Sequence, residues 1–491
     1  MTYVEDSPVA VEAALSTKAQ KRQPLYAGRV QVYPKKVSGT FRRIKWIALV
    51  VLLGIYYAAP WLRWDRGPGV PGQAFLIDMA NRRAYFLWLE IWPQEIYFLM
   101  GLLILAAFGL FLATSLFGRV WCGYACPQTV WTDLFMWVER LVEGDRNARM
   151  RLDQGPLTWA KAWRKGAKHG IWLLIAALTG GAWIMYFVDA PTLVRDALAG
   201  DLTAKVLFFF GLFTATTYLR AGWAREQVCT YMCPWPRFQS AMFDEDTLIV
   251  TYQRWRGEPR GKHKRGQAWE GRGHCVDCNQ CVAVCPTGID IRDGSQLECI
   301  GCGLCVDACA GVMDKVGLPR GLITFDTEAN QRARAAGRPL RYRLLRPRTV
   351  IYAALLLVAA GAMAAGLATR SAVDVTVQHE RNPLFVKLSD GSIRNDYTVK
   401  VSNKRHEVRG FALGLPALPG ARLWAEGAAG EPTGFIAIQA QPGTVTAFRI
   451  HVVLPATAVP GPGSHPVAFV LTDLATGEIA THDSVFVSPD R

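Results

Sequence analysis

No cysteine lies before Cys122 or after Cys309, although the 491-residue chain carries 12 of them. A secreted disulfide scaffold would spread its cysteines through every soluble part, so this clustering excludes one and points to metal ligands in a reducing compartment. The sequence also lacks a dinucleotide-binding fingerprint and a C-x-x-C-H haem-attachment motif. Electrons, if the chain carries them, must then come from a separate protein or a quinol. The polar stretch Met1–Pro24 has no apolar h-region, which argues against a cleaved signal peptide. At 51% hydrophobic and a mean hydropathy of +0.13 the chain is too apolar for an average soluble protein, yet with 19% charged residues it is no membrane protein throughout. Membrane spans joined to soluble modules fit both numbers.

Five apolar stretches approach the ~20 residues that cross a bilayer: Ile44–Leu62, Ile96–Phe117, Ile171–Val188, Thr203–Leu219 and Thr349–Thr369. The third and fourth are short. Lys and Arg exceed acids 8 to 3 in residues 1–43, 9 to 5 in 118–170 and 20 to 14 in 220–348, but not in 63–95 (4 to 4) or 189–202 (1 to 3). A Lys/Arg excess marks cytoplasmic loops. Five spans with an inside N-terminus satisfy the alternation, and the net charge of +15 then needs no nucleic-acid partner. The tail after residue 370, with 10 basic residues against 11 acids, falls outside. It reads as some seven short strands divided by Pro/Gly turns, such as Val373–Gln378, Thr444–Val452 and Val467–Thr472, which suggests a small β-sandwich.

Residues 275–309 carry two copies of C-x2-C-x2-C-x3-C. Three closely spaced thiolates can ligate three irons of a cubane, and the fourth cysteine of each run reaches the other cluster. The pattern assigns Cys275, Cys278, Cys281 and Cys309 to one [4Fe–4S] cluster, and Cys299, Cys302, Cys305 and Cys285 to a second. Pro286 follows the first run as expected, whereas Ala310 replaces proline in the second. A structural zinc site, built from two separated C-x2-C pairs, does not explain the duplicated spacing.

The other four cysteines form two matching motifs just past the second and fourth stretches, W-C122-G-Y-A-C126-P and V-C229-T-Y-M-C233-P. Cysteines at i and i+4 share a helix face, and Pro127 and Pro234 fall where a helix breaks or kinks. The repetition suggests an internal duplication that brings both pairs together. Soft thiols suit Cu(I), and Met232 could assist; dithiol–disulfide cycling and plain helix packing are the other readings. His169 and His274 read as surface or capping residues. The basic run Arg254–Arg265 reads as a lipid-facing linker, and Trp61, Trp64, Trp88, Trp92, Trp121 and Trp163 as an aromatic belt near span ends.

Membrane hairpins ending in C-x3-C-P, the stretch G-H-C-V-D-C-N-Q-C-V-A-V-C-P-T-G-I-D-I, and L-E-C-I-G-C-G-L-C-V-D-A-C together resemble the FixG/RdxA/CcoG membrane polyferredoxins. The resemblance covers about residues 25–490. It implies an α-helical membrane bundle of five transmembrane helices with a bacterial-type 2[4Fe–4S] ferredoxin insert and a C-terminal all-β immunoglobulin-like sandwich. The expected division is a cytoplasmic segment 1–43, a four-helix region 44–219, a cytoplasmic region 220–348 with the ferredoxin domain at about 265–320, a fifth helix 349–369, and a periplasmic sandwich 370–491. The resemblance further implies a cupric reductase of the bacterial cytoplasmic membrane that serves cbb3-type cytochrome c oxidase assembly. Its copper-handling thiols would be Cys122, Cys126, Cys229 and Cys233, and its partners a copper chaperone or oxidase assembly factors. Two other classes stay open: an electron-transfer subunit between quinol and a periplasmic reductase, and a non-redox assembly scaffold.

Overall fold

The computed structural model describes residues 31–67, 69–263, 269–427 and 433–489. The N-terminal stretch read above as free of a signal peptide, and residues 264–265 of the basic run, lie outside them. The described residues fall into two units. One is drawn from Met1–Ile55, Leu110–Gly181 and Ala204–Val350, the other from Tyr56–Gly109, Ala182–Thr203 and Ile351–Arg491.

The helices follow the apolar runs. They are α1 (Thr40–Ala58), α2 (Tyr97–Phe117), α3 (Pro127–Glu143), α4 (Arg146–Gln154), α5 (Trp159–Ile184), α6 (Ala190–Ala199), α7 (Ala204–Thr217), α8 (Trp235–Ala241), α9 (Gln280–Val284), α10 (Leu304–Val316), α11 (Glu328–Ala335) and α12 (Pro347–Ala368). Among the described residues three segments are long and apolar enough to cross a membrane: Thr40–Trp61, Pro93–Phe117 and Pro347–Ala368. A fourth joins them if the pair Ala190–Ala199 and Ala204–Ala224, bent by 102°, counts as one span. The expected count of five is therefore not reached on length and composition. The third expected stretch is the apolar end of α5, whose first half carries Lys161, Arg164, Lys165 and Lys168. The fourth loses its regular helix at Thr217, where seven π-helical residues take over.

In the first unit a small α/β module carries the cysteine run. Its two strands, β4 (Ile249–Tyr252) and β5 (Ile323–Asp326), pair antiparallel. Val250, Tyr252, Ile291, Met313, Leu322 and Ile323 pack with Cys275, Cys281 and Cys309 into one core. The chain before α1 straps this module to α4: Lys35 donates its backbone N–H to Ala283 at 2.8 Å, and buried Arg149 of α4 donates to the carbonyl of Pro34 at 2.6 Å. At the first turn of α1 the N–H groups of Phe41 and Arg42 donate to the Asp307 carboxylate at 3.2 and 2.8 Å.

In the second unit the loop expected over residues 63–95 holds a three-stranded sheet, β1 (Phe75–Asp78), β2 (Arg83–Phe86) and β3 (Leu89–Ile91), which the short runs did not announce. The letters Gly67-Pro-Gly-Val-Pro-Gly72 do spell G-x-G-x-x-G. Residues 69–72 lead into this sheet and open no helix, so the strand–loop–helix setting of a nucleotide loop is lacking among the described residues. Trp92 is buried beneath Arg83, with the guanidinium 4.0 Å from the ring, and belongs to this core rather than to an aromatic belt.

Among the described residues the tail is a two-sheet sandwich of nine strands. One sheet orders β10 (Arg422–Ala425), β12 (Thr444–Leu454), β8 (Ile393–Asn403) and β6 (Val373–His379), with β7 (Val386–Lys387) also on β8. The other orders β11 (Phe435–Ala440), β9 (Arg409–Gly414), β13 (Gly463–Asp473) and β14 (Ile479–Ser488). Period-two alternation sends Tyr397, Val399, Val401, Ile450, Val452, Phe469 and Leu471 inward. At about 1.5–3 kcal/mol for each large side chain removed from water, this core needs no disulfide.

Candidate functional site

The two C-x2-C-x2-C loops share one backbone device. Residues two and four after the first cysteine adopt positive φ in both: Asp277 (51°) and Asn279 (53°) in one, Gly301 (67°) and Gly303 (70°) in the other. Asp and Asn tolerate this left-handed region and glycine enters it freely. Successive left-handed turns aim N–H groups toward one centre, a concavity suited to an anionic thiolate-ligated cluster. Arg292 braces the first loop, donating to Asp277 at 2.6 Å and also to Asn279. The second loop has no room for side chains. A Cβ on Gly301 would stand 3.2 Å from the Arg119 Cβ, and one on Gly303 would meet the rings of Phe41 and Phe325 at 2.8–2.9 Å.

Each run's fourth cysteine crosses to the other run. Cys275, Cys278, Cys281 and Cys309 line a single cavity, while Cys285 faces Cys299, Cys302 and Cys305 closely enough to perturb them. Burial pushes the Cys281 thiol up to about 11 and those of Cys299 and Cys309 to about 12. Cys302 and Cys305 are raised as well, again first by burial. Thiols that cannot ionise alone form a donor set completed by a cation, beside which a coordinating thiol is deprotonated outright. The residues therefore fit two [4Fe–4S] clusters. None of the twelve cysteines is in a disulfide. Among the described residues no three His, Cys, Asp or Glu side chains converge on a single-ion site.

The membrane-edge motifs are π-helical turns, not α-helix. Cys126 donates its N–H to the Trp121 carbonyl and Cys233 to that of Val228, each at 2.8 Å and five residues back. Such turns are rare and concentrate at functional sites. The prolines do not end a helix here. Pro127 is the first residue of α3, where its fixed φ and missing N–H cost nothing, and Pro234 caps α8.

The structure brings the two motifs near each other, close enough for their thiols to perturb one another, although no three of the four converge on a single-ion site. Cys122 and Cys229 both pack on the cluster of Val284, Ile300, Cys302 and Leu304. Burial first, then Cys126, pushes each of them up to about 12. Cys126 is half-buried and Cys233 exposed. The first motif lies directly on the second cysteine loop: a Cβ on Gly123 would be 3.0 Å from the carbonyl oxygens of Gly301 and Ile300, and Tyr124 Oη donates to the Cys302 carbonyl at 3.0 Å.

Several participants gave no sequence signal. Gln239, fully buried on α8, accepts a hydrogen bond from Cys122 Sγ at 3.1 Å. Arg119 joins the carbonyls of Cys299 and Pro236 at 2.8 and 2.9 Å, and it and Lys45, both buried, place positive charge beside Cys122 and Cys229 respectively. Of the secondary candidates, His169 pairs with the Tyr218 hydroxyl at 2.8 Å, His274 accepts from Arg256 at 2.8 Å, and Met232 is exposed; none joins the thiol group.

Family models match three parts of the chain. A 4Fe-4S dicluster domain covers residues 224–328, a 4Fe-4S binding domain covers 99–143, and the IG-like fold at the C-terminus of FixG covers 363–489. The nitrogen fixation protein FixG of Rhizobium meliloti is 49% identical over 473 residues, which is 91% of this chain and 90% of that one. The chain belongs to the FixG family. Protein RdxB of Cereibacter sphaeroides is 50% identical over 467 residues, covering 94% and 97% of the two chains. A partial likeness, 24% over 210 residues, reaches the ferredoxin-type protein NapH of Haemophilus influenzae, covering 39% of this chain and 60% of that one. This FixG-family chain is thus a membrane iron–sulfur protein with ferredoxin-type domains and an immunoglobulin-like C-terminal domain.

Proposed function

We propose that this chain is a membrane-bound one-electron oxidoreductase that reduces Cu(II) to Cu(I) for assembly of a cbb3-type cytochrome c oxidase. Cys275, Cys278, Cys281 and Cys309 would hold one [4Fe–4S] cluster and Cys299, Cys302, Cys305 and Cys285 the other, which would pass one electron to each Cu(II), replaced from a separate donor protein or a quinol. Copper is the substrate. Cys122, Cys126, Cys229 and Cys233 bind it, and their soft sulfur donors favour the Cu(I) state over Cu(II). Lys45 and Arg119 offset the negative charge that the thiolates acquire. The Lys/Arg bias supports five spans in a bacterial inner membrane, a cytoplasmic ferredoxin insert and a periplasmic sandwich. A copper chaperone or an oxidase assembly factor takes the Cu(I). The observation that carries this reading is the direct seating of the Cys122–Cys126 turn on the Cys299–Cys305 loop, at 3.0 Å between backbone carbonyls and the Gly123 position.

A second reading has one observation behind it. The matched 4Fe-4S binding domain at 99–143 includes Cys122 and Cys126, so the four membrane-edge thiols would hold iron, and the chain would be an electron-transfer subunit between quinol and a periplasmic reductase. Anaerobic purification with iron, sulfide and copper analysis separates the two. The copper reading expects about eight iron atoms, unchanged when all four membrane-edge cysteines become serine, with Cu(II) reduction lost. About twelve iron atoms falling to about eight would establish the second reading. Wild-type Cu(II) reduction by the quadruple serine variant would rule the copper site out.

A further inference from the structure

A cavity of about 390 Å³ opens in the first unit between the chain before α1, α1 itself, α3 and the ferredoxin insert. Four cations line it, Lys35, Lys36, Arg42 and Arg140, against two acids, Asp133 and Asp145. The acids are already engaged. Asp133 accepts Arg42 Nη1 on both oxygens at 2.9 Å and has Lys45 Nζ 4.0 Å away. Asp145 accepts the backbone N–H of Lys36 at 2.9 Å. Arg42 is 8% exposed, and among the described residues its buried Nη2 has no hydrogen-bond partner. Burial and the neighbouring Arg42 both hold the Arg140 guanidinium below its ordinary range. A buried donor without an acceptor costs free energy that an incoming anion would recover, so the cavity is built for a negative charge that the described residues do not provide.

The walls say which kind of anion. Trp46 lies in the first turns of a membrane-crossing helix, and Trp137 and Leu141 of α3, 41% and 66% exposed, adjoin the cations on the apolar side. Basic pockets of this kind at a membrane surface take phospholipid headgroups, with tryptophan at the headgroup level. We propose that this cavity binds the phosphodiester of an anionic glycerophospholipid, with Arg42 and Arg140 on the phosphate and Trp137 and Leu141 along the upper acyl chain. Its opposite wall is Pro286 and Leu304, neighbours of Cys285 and Cys305. A seated headgroup therefore pins the cysteine-bearing insert to the membrane face, and the inference holds whichever metal the membrane-edge thiols carry.

Native mass spectrometry of the delipidated full chain tests this, with phosphatidylglycerol, phosphatidylcholine and inorganic phosphate added separately. The expected result is one tightly held phosphatidylglycerol, preferred over phosphatidylcholine. Arg140→Gln should weaken it about fivefold, the contribution of about one cation on the phosphate, and Lys36→Gln should weaken it less. Unchanged iron content and elution volume in both variants exclude misfolding as the cause. Phosphatidylglycerol binding that is equal to phosphatidylcholine binding, or untouched by both substitutions, overturns the proposal. Saturation by inorganic phosphate without any lipid preference overturns it too, and assigns the cavity to a free anion.

Discussion

Replacing Gly123 by alanine is the sharpest test of the contact between the first C-x3-C turn and the second cysteine loop. The new Cβ would sit 3.0 Å from the carbonyl oxygens of Gly301 and Ile300 and 3.2 Å from the Cys302 Cα. All three are backbone atoms, so no side chain can swing aside, and the turn must back away by a few tenths of an ångström. Overpacking of this kind costs about 1–3 kcal/mol. If the Tyr124–Cys302 hydrogen bond, 3.0 Å long, breaks as well, a further ~0.5–1.5 kcal/mol is lost. At about 2–4 °C per kcal/mol for a unit of this size, the thermal loss of iron–sulfur absorbance should move down by several degrees. Cu(II) reduction should slow while iron content at low temperature stays full. Gly311→Ala, inside α10 with nothing within 4 Å, is the contrasting control: it should leave Cu(II) reduction unchanged and hold or raise the midpoint. A Gly123→Ala protein with the wild-type midpoint and rate would show that the turn is not held against the loop, and the proposed electron path would lose its support.

Cys278→Ser should remove the cluster signal of one set and Cys302→Ser that of the other, read by EPR and iron analysis; zinc in place of iron would overturn the assignment. An alkaline phosphatase fusion at Gly461 should be active and one at Gly271 inactive, and the reverse would put the cysteine run in an oxidising compartment. The pH dependence follows from burial. Cys122 and Cys229 rise from 9.0 to about 12 in the metal-free chain, so the protonated thiol is the form the fold favours. That contribution is full below about pH 9 and lost as pH climbs toward 12, where metal-free protein should denature more readily. Since Cu(I) must expel these protons, its apparent affinity should rise between about pH 6 and 8, by up to tenfold per unit for each proton released; a flat profile would mean the thiols are not the ligands.

Legibility in the sequence tracked the range of the forces involved. Cluster ligation is local, so the cysteine spacing alone set out the two runs and the exchange of Cys285 and Cys309 between them. Apolar runs announced three spans because nothing competes with them there. The third and fourth fell short where Lys161–Lys168 share a helix with the apolar stretch and where α6 and α7 meet at 102°. Strands of three or four residues, as in β1–β3, are too short for a two-residue period to register. Gln239 and Arg119 reach partners 117 or more residues away, and no local pattern encodes such a contact. The π-turns escaped for a different reason: C-x3-C at i and i+4 fits an α-helix equally well, and the fifth-residue hydrogen bond is visible only once the backbone is traced.

The unequal filling of the two left-handed loops separates what can be adjusted in this protein from what cannot. Asp277 and Asn279 carry side chains, and Asp277 is partly open to solvent through its pairing with Arg292. A designer could exchange the partly exposed Asp277 and retune the field around the first cysteine set, leaving the buried Arg292 in place. The second loop offers no such handle. Its left-handed positions are bare because Phe41, Phe325 and Arg119 occupy the space, so any residue with a side chain meets both a strained backbone and a wall. One half of the ferredoxin insert can act as a dial, while the half that touches the membrane-edge thiols is a fixed mounting.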